Sequence, residues 1–335
     1  MSEKRLVLSA GGQQGVAYIG VVQALERHYN CRCLTQHYEY FEGTSAGAMT
    51  SFLLSLGFTS LELLLHYQRA PPYSPDMAKM GQSFGLSDMR NFASKVIADA
   101  LVSRGLVRAG DHEAAERYTF AQHYQHTGKR LVVGITIIGE QEENGGCREF
   151  NASVSNSPEW PVLACLLSSM AVPPLFGPVS INTPQGTVYA VDGAVSNGFR
   201  FTYASDDTLG IVLKPERPPV LAKGFSPHSH SILQYMIFMC ELHLFFVASR
   251  RGQDINTGNV ITIQCSSAAG TIYQPDANAI QELINAGEQQ TQHFFKEKQK
   301  HKSNAHLERL GDGVSRVAAG QDNGAGGRAS ESGPG

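Results

Sequence analysis

The stretch Phe41-Glu42-Gly43-Thr44-Ser45-Ala46-Gly47-Ala48-Met49 constrains this chain more than any other. Before it, Tyr38 to Phe41 is a short aromatic run suited to a strand. After it, Ala46 to Leu56 is rich in good helix formers. Between the two sits Gly43-x-Ser45-x-Gly47. A sharp turn from strand into helix holds a serine hydroxyl clear of the backbone. It also crowds the positions two residues to either side, where only glycine fits. The spacing predicts a nucleophile elbow with Ser45 at its tip and an α/β fold around it. The pattern is short, and an ordinary glycine-rich turn satisfies it too. The rest of the chain has to decide.

Leu6-Val7-Leu8-Ser9 reads as a buried strand that runs into Ala10-Gly11-Gly12-Gln13-Gln14-Gly15. A helix follows, with Val16, Ile19, Val22 and Leu25 on one face. Strand, glycine turn and helix together present free backbone N–H groups to an anion. Three chemistries compete for them. A dinucleotide site wants G-x-G-x-x-G and an acidic residue on the second strand, and this turn reads GGQQG. A P-loop wants a closing Gly-Lys-Ser/Thr, which is absent. An oxyanion hole needs only unobstructed adjacent N–H groups, which Gly11 and Gly12 supply.

Helices are expected over Ser60 to Gln68, Ser87 to Arg104 and Asp111 to His126, with Pro71, Pro72 and Pro75 separating the first two. Leu131 to Ile138 is the strongest strand, apolar throughout, as in a sheet covered on both faces. Asn144-Gly145-Gly146 turns it toward a second strand, Arg148 to Val154. Trp160 to Met170 is an apolar helix leading into a proline-rich loop, and Thr187 to Val191 is a further strand. That strand ends at Asp192-Gly193-Ala194, which puts a carboxylate at the sheet edge where open α/β folds keep their sites. Taken alone, Asp192 reads better as a plain turn aspartate. Thr208 to Leu213 and Asn259 to Ile263 complete the strands. The run Ile232 to Val247 is too short for a membrane span and is broken by Gln234, Glu241 and His243, so it reads as a core helix. Asp276 to Lys298 is a last amphipathic helix, with Ile280, Leu283, Ile284, Phe294 and Phe295 on its buried side.

Composition excludes several classes. Among 335 residues, 42% hydrophobic and 17% charged content describes a globular body with ample core, and a net charge of −3 leaves no basic footprint for nucleic acid. The six cysteines are scattered, and only Cys31 and Cys33 lie close, so reduced thiols are expected rather than zinc or a disulfide framework. No EF-hand loop, no H-E-x-x-H and no carboxylate cluster around the elbow points to a metal, and no cofactor is expected. Met1-Ser-Glu-Lys-Arg runs straight into a strand without an apolar leader. From Ser303 the composition turns to Gly, Ala, Ser, Asn and Arg. The expected organisation is a catalytic body over 1–302 and a disordered tail over 303–335.

In order and spacing, Gly11-Gly12-x-x-Gly15, Gly43-Thr44-Ser45-Ala46-Gly47 and Asp192-Gly193-Ala194 resemble the patatin-like phospholipases. The stretches Phe84-Gly-Leu86 through Thr127-Gly-Lys-Arg-Leu-Val-Val133 and Ser168-Ser-Met-Ala-Val-Pro-Pro-Leu-Phe-Gly-Pro-Val179 are similar as well. The resemblance covers roughly residues 5 to 200. It implies a three-layer α/β/α sandwich with a mostly parallel central sheet. It further implies hydrolysis of lipid acyl esters at a membrane or micelle surface by a Ser45–Asp192 dyad, without histidine or calcium in the chemistry. Gly11 and Gly12 would donate to the oxyanion, with Gln13, Gln14 and Gly15 completing the loop. The sequence departs from the family at Ala10, where a third glycine is usual, and at Gln14, where a Lys or Arg is usual. Such a protein would be cytoplasmic and act peripherally at membranes or lipid droplets. Two other readings stand beside it: an α/β-hydrolase with a Ser45–Asp192–His triad using His228, His230 or His243, and a catalytically weak lipid-binding scaffold.

Overall fold

The computed structural model describes residues 3–69, 86–139, 146–173, 176–201, 205, 207–216, 259–266 and 276–319. Its core is one sheet of eight strands: β1 (Arg5–Leu8), β2 (Tyr40–Thr44), β3 (Arg130–Ile138), β4 (Cys147–Ser153), β5 (Val179–Thr183), β6 (Gly186–Asp192), β7 (Thr208–Pro215) and β8 (Val260–Cys265). The order is β5-β6-β3-β2-β1-β7-β8, with β4 paired to β3 off this path. The run from β3 through β2, β1 and β7 to β8 is parallel throughout, and β4, β5 and β6 add antiparallel pairs at one end. Helices lie on both sides, which makes the expected three-layer α/β/α sandwich with a mostly parallel sheet. Parallel strands covered on both faces must be apolar throughout. Leu6, Val7, Leu8, Leu131, Val133, Ile135, Ile137, Ile211, Val212 and Leu213 are accordingly all buried.

The helices are α1 (Ala17–Tyr29), α2 (Ala46–Ser55), α3 (Ser60–Arg69), α4 (Leu86–Ser103), α5 (His112–Glu116), α6 (Phe120–Thr127), α7 (Val162–Ser169), α8 (Ala194–Asn197) and α9 (Ala277–Ala319), with a 3-10 turn over Gly12–Val16 ahead of α1. The predicted face of α1 is the buried one, since Val16, Ile19, Val22 and Leu25 are all inside. Each such side chain contributes about 1.5–3 kcal/mol by leaving water. α2 packs on β1, β2 and β3, and α7 packs on β3, β5 and β6.

Two expectations are corrected and one strand is added. The single helix expected over Asp111 to His126 is two, α5 and α6. Thr119 starts the second with a capping box, accepting the Gln122 N–H while the Gln122 side chain accepts the N–H of Thr119. The segment Val179–Thr183 is a strand, paired with β6 across a hairpin that contains Pro184. Asp192 is the last residue of β6 rather than a residue beyond it.

The apolar run Ile232 to Val247, the histidines His228, His230 and His243, Cys240 and residues 320–335 lie outside the described residues. The chain divides into two compact units, Met1–Thr291 and Gln292–Gly335. Within the first, Ala279, Leu283, Ile284, Gly287 and Thr291 are the buried residues of α9, whereas Ile280 is only half-buried.

Candidate active site

Ser45 stands between the end of β2 and the start of α2, at φ 56° and ψ −123°. A positive φ on a non-glycine residue is strained, and surrounding structure has to hold it. The flanking glycines show why it can exist. A Cβ on Gly43 would lie 2.3 Å from the carbonyl carbon and oxygen of Gly47, and a Cβ on Gly47 would lie 2.5 Å from the carbonyl oxygens of Leu8 and Ser9. No side chain fits at either place. The G-x-S-x-G spacing is therefore a packing requirement of this elbow.

The Asp192 carboxylate comes from the other direction. β2 is parallel to β3 and pairs with residues 130–134, ending with Thr44 opposite Gly134. β6 is antiparallel to β3 and pairs with residues 135–138, ending with Asp192 opposite Ile135. β4 covers 132–138 of the same strand, so β2 and β6 must share the opposite edge of β3 and meet there head to head. The Ser45 Oγ donates to Asp192 Oδ2 at 2.8 Å. Both residues are buried, Ser45 5% exposed and Asp192 1%.

The second carboxylate oxygen is also held, because Asp192 Oδ1 accepts the Ala194 N–H at 2.7 Å. The Asp192 carbonyl accepts from Thr136 Oγ1 at 3.0 Å, and its N–H donates to the Ala171 carbonyl at 3.0 Å. Gly193 lets the chain turn away, since a Cβ there would sit 2.3 Å from the Gly134 carbonyl oxygen. On the serine side, the Ser45 N–H donates to Ser169 Oγ at 2.8 Å, and Ser169 Oγ donates in turn to the Gly134 carbonyl at 2.7 Å.

The glycine turn after β1 lies against the elbow, where a Cβ on Gly15 would come 2.7 Å from the Ala46 Cβ. Gly12 has φ 51°, which glycine adopts freely and a β-branched residue does not. Gln14 is buried, and its N–H donates to the Gly11 carbonyl at 3.0 Å. Among the described residues, the N–H groups of Gly12 and Gln13 find no partner, as expected of the first N–H groups of a helical turn.

Two buried charged groups lie beneath the site. Glu42 on β2 is 4% exposed, and burial pushes its carboxyl up to about 7 against the pull of Arg5 and Arg200. Its Oε1 has no hydrogen-bond partner among the described residues. Burial pulls Arg200 down from its ordinary value, opposed by Glu149, Glu42 and Asp192. Its guanidinium donates to the carbonyls of Ile135 (2.8 Å) and Phe150 (3.0 Å) and to Asn151 Oδ1 (2.8 Å). Arg200 thereby pins β3 and β4 together where β6 ends. His123 is buried, held at about 3, and shares a 2.9 Å hydrogen bond with Ser55 rather than Ser45.

Ser45, Asp192, Gly193 and Ala194 thus come together with Gly43, Thr44, Ala46 and Gly47, and the loop from Gly11 to Gly15 packs beside them. Sequence reasoning missed Ser169, Ala171, Thr136 and Arg200 as parts of the site. The run Ser168-Ser169 before the proline loop is the one local signal for any of them. A serine hydroxyl held on a carboxylate beside open N–H donors can attack a carbonyl carbon and stabilise the charge that develops on its oxygen.

A strand-to-helix serine bonded to a strand-end aspartate, on a mixed sheet between helix layers, defines a class of serine–aspartate α/β/α proteins. The family model described as patatin-like phospholipase matches residues 6–205, and the chain belongs to that family. A probable lipid hydrolase, 463L of Invertebrate iridescent virus 6, is 30% identical over 203 residues, covering 58% of this chain and 61% of its own length. An uncharacterised protein of Bacillus subtilis strain 168, YqhO, is 23% identical over 313 residues, which are 87% of this chain and 97% of the relative. Among solved structures, VipD from Legionella pneumophila aligns with a TM-score of 0.49 at 16% identity, over 89% of this chain and 67% of VipD.

Proposed function

We propose that this protein is a lipid acyl-ester hydrolase of the phospholipase A or lysophospholipase type, working through a Ser45 acyl-enzyme with Asp192 as base. The observation that carries the reading is the 2.8 Å hydrogen bond from Ser45 Oγ to Asp192 Oδ2. Ser45 Oγ bonds to the ester carbonyl carbon while Asp192 takes its proton. The developing oxyanion takes hydrogen bonds from the Gly11–Gly12 turn, each such donor typically worth about 3 kcal/mol. The tetrahedral intermediate collapses, and Asp192 returns the proton to the departing alcohol oxygen. Water then attacks the acyl-enzyme with Asp192 again as base. The acid leaves as Ser45 regains its proton.

The substrate class follows from the family and from the viral relative's name. Among the described residues no helix is long and apolar enough to cross a membrane. The test is covalent labelling by a fluorophosphonate, which reacts only with an activated serine. Label at Ser45, lost in both Ser45→Ala and Asp192→Asn, is expected. A wild-type protein that takes no label would support a lipid-binding scaffold instead.

A further inference from the structure

We propose that the segment Ser169 to Ala171, the last residue of α7 and the two that follow it, is the clamp that sets the spacing of nucleophile and base, and that Ser169 is a positioning residue for acyl transfer. The proposal rests on the dyad reading above.

Two backbone N–H groups carry the argument. The Ser45 N–H reaches Ser169 Oγ at 2.8 Å, and the Asp192 N–H reaches the Ala171 carbonyl at 3.0 Å. The two members of the dyad are 147 residues apart in the chain, yet their N–H groups end on one three-residue segment. Ser169 also donates to the Gly134 carbonyl at 2.7 Å. Gly134 is the β3 residue at which β2 stops, one place before β6 ends opposite Ile135. The clamp is therefore tied to the strand that both catalytic strands share.

The Ser45 N–H needs an outside partner. The ladder with β3 has ended at Thr44 and α2 has not begun, so neither strand nor helix supplies an acceptor, and a buried N–H does not go unpaired without cost. A hydroxyl suits the place because it accepts and donates at once. Ser169 does both and is fully buried. Its hydrogen bonds fix a residue whose positive φ would otherwise relax, and with it the direction of Ser45 Oγ. The segment is rigid in its own right, since the Met170 N–H bonds to Leu166 and Leu167 and the Ala171 N–H bonds to Ser168.

The chain supplies a control next door. Ser168 is equally buried, but its Oγ donates to Ala164 one turn back in its own helix, at 2.8 Å, and touches neither member of the dyad. Loss of that hydroxyl changes the helix and leaves the clamp.

The experiment compares Ser169→Ala, Ser168→Ala and Ser45→Ala with wild type. Melting temperature, kcat and KM on a soluble short-chain p-nitrophenyl ester, and the rate of fluorophosphonate inactivation are measured for each. In Ser169→Ala, kcat should fall about 10- to 100-fold with KM unchanged, the size expected of a reacting atom displaced by up to an ångström. Inactivation should slow in proportion. Ser168→Ala should stay within about threefold of wild type on both rates. If Ser169→Ala does not fold, Ser169→Cys keeps the shape with a weak donor and acceptor and should show the same selective fall in kcat. A folded Ser169 variant with wild-type kcat overturns the clamp, as does an equal loss in Ser168→Ala. Turnover retained in Ser45→Ala would instead overturn the dyad reading, and the clamp with it.

Discussion

Thr44 and Asp192 are the last residues of two strands that run toward each other along one edge of β3, Thr44 opposite Gly134 and Asp192 opposite Ile135. A parallel and an antiparallel neighbour can share a strand edge only if both stop where they meet. The residue just past the first and the final side chain of the second then come within hydrogen-bond reach. Ser45 and Asp192 are those two residues, at 2.8 Å. The turns on either side are sterically closed: Gly43 and Gly47 leave no room at the elbow, and Gly193 leaves none against the Gly134 carbonyl. The switch from parallel to antiparallel pairing on β3 is thus what brings Ser45 and Asp192 together.

If the Gly11–Gly12 turn holds the oxyanion through backbone N–H groups, the side chain of Gln14 has a supporting part. Gln14→Ala should cost less than about tenfold in kcat, near 1.4 kcal/mol. Gly12→Val should be almost inactive, because Gly12 sits at φ 51° and a β-branched residue does not adopt it without strain. Steady-state kinetics on a soluble ester checks both. Equal damage from the two substitutions, in folded protein, would make the Gln14 amide the principal donor.

Glu42 gives the fold a pH dependence of known sign. Its carboxyl ionises at about 7 in the folded protein, against 4.5 as the ordinary value. Below 4.5 both folded and unfolded chains hold the proton, and the residue costs nothing. Between 4.5 and 7 the unfolded chain ionises first, so stability falls as pH rises, by on the order of 3 kcal/mol once the folded carboxyl has also ionised. Glu42→Gln should therefore raise the melting temperature above pH 7.5 and leave it nearly unchanged at pH 4. His123 works in the opposite sense: burial holds it at about 3, so its contribution is present above 6.5 and is lost toward 3. It is common to both proteins and cancels in their difference. Melting curves from pH 4 to 8 give that difference, and one that does not vary with pH would contradict the assignment.

What was legible in the sequence was what short-range sterics dictate. The elbow, the glycine pair after β1 and the apolar β3 each announce themselves within a few residues. The division of α5 from α6 was legible too, since Thr119-Phe-Ala-Gln122 carries a capping-box pattern that helical periodicity overshadowed. β5 was hidden because its five residues, though alternating, are too few to stand out between Pro178 and Pro184. The Ser168-Ser169 run is visible in the sequence, but the partners of Ser169 and Arg200 are not. Ser169 meets Ser45 across 124 residues and Arg200 meets Ile135 across 65, and no local pattern encodes either pairing.

The proposed catalytic body ends near Lys302, where composition turns to glycine, alanine and serine. The backbone of α9 continues to Ala319. Truncation after Lys302 should leave both melting temperature and esterase turnover unchanged. A lowered melting temperature would show that the residues removed add to the stability of the folded protein.

The central claim is that Asp192, and no histidine, is the base for Ser45. His228, His230 and His243 are the candidates for a third member, so the direct measurement is kcat on a soluble short-chain ester for Asp192→Asn beside His228→Ala, His230→Ala and His243→Ala. Asp192→Asn should lose at least about 10²- to 10⁴-fold, the ordinary worth of a general base, while keeping the wild-type melting temperature. Each histidine variant should stay within about threefold of wild type. Near-normal turnover in Asp192→Asn, or its collapse in a folded histidine variant, would contradict the account.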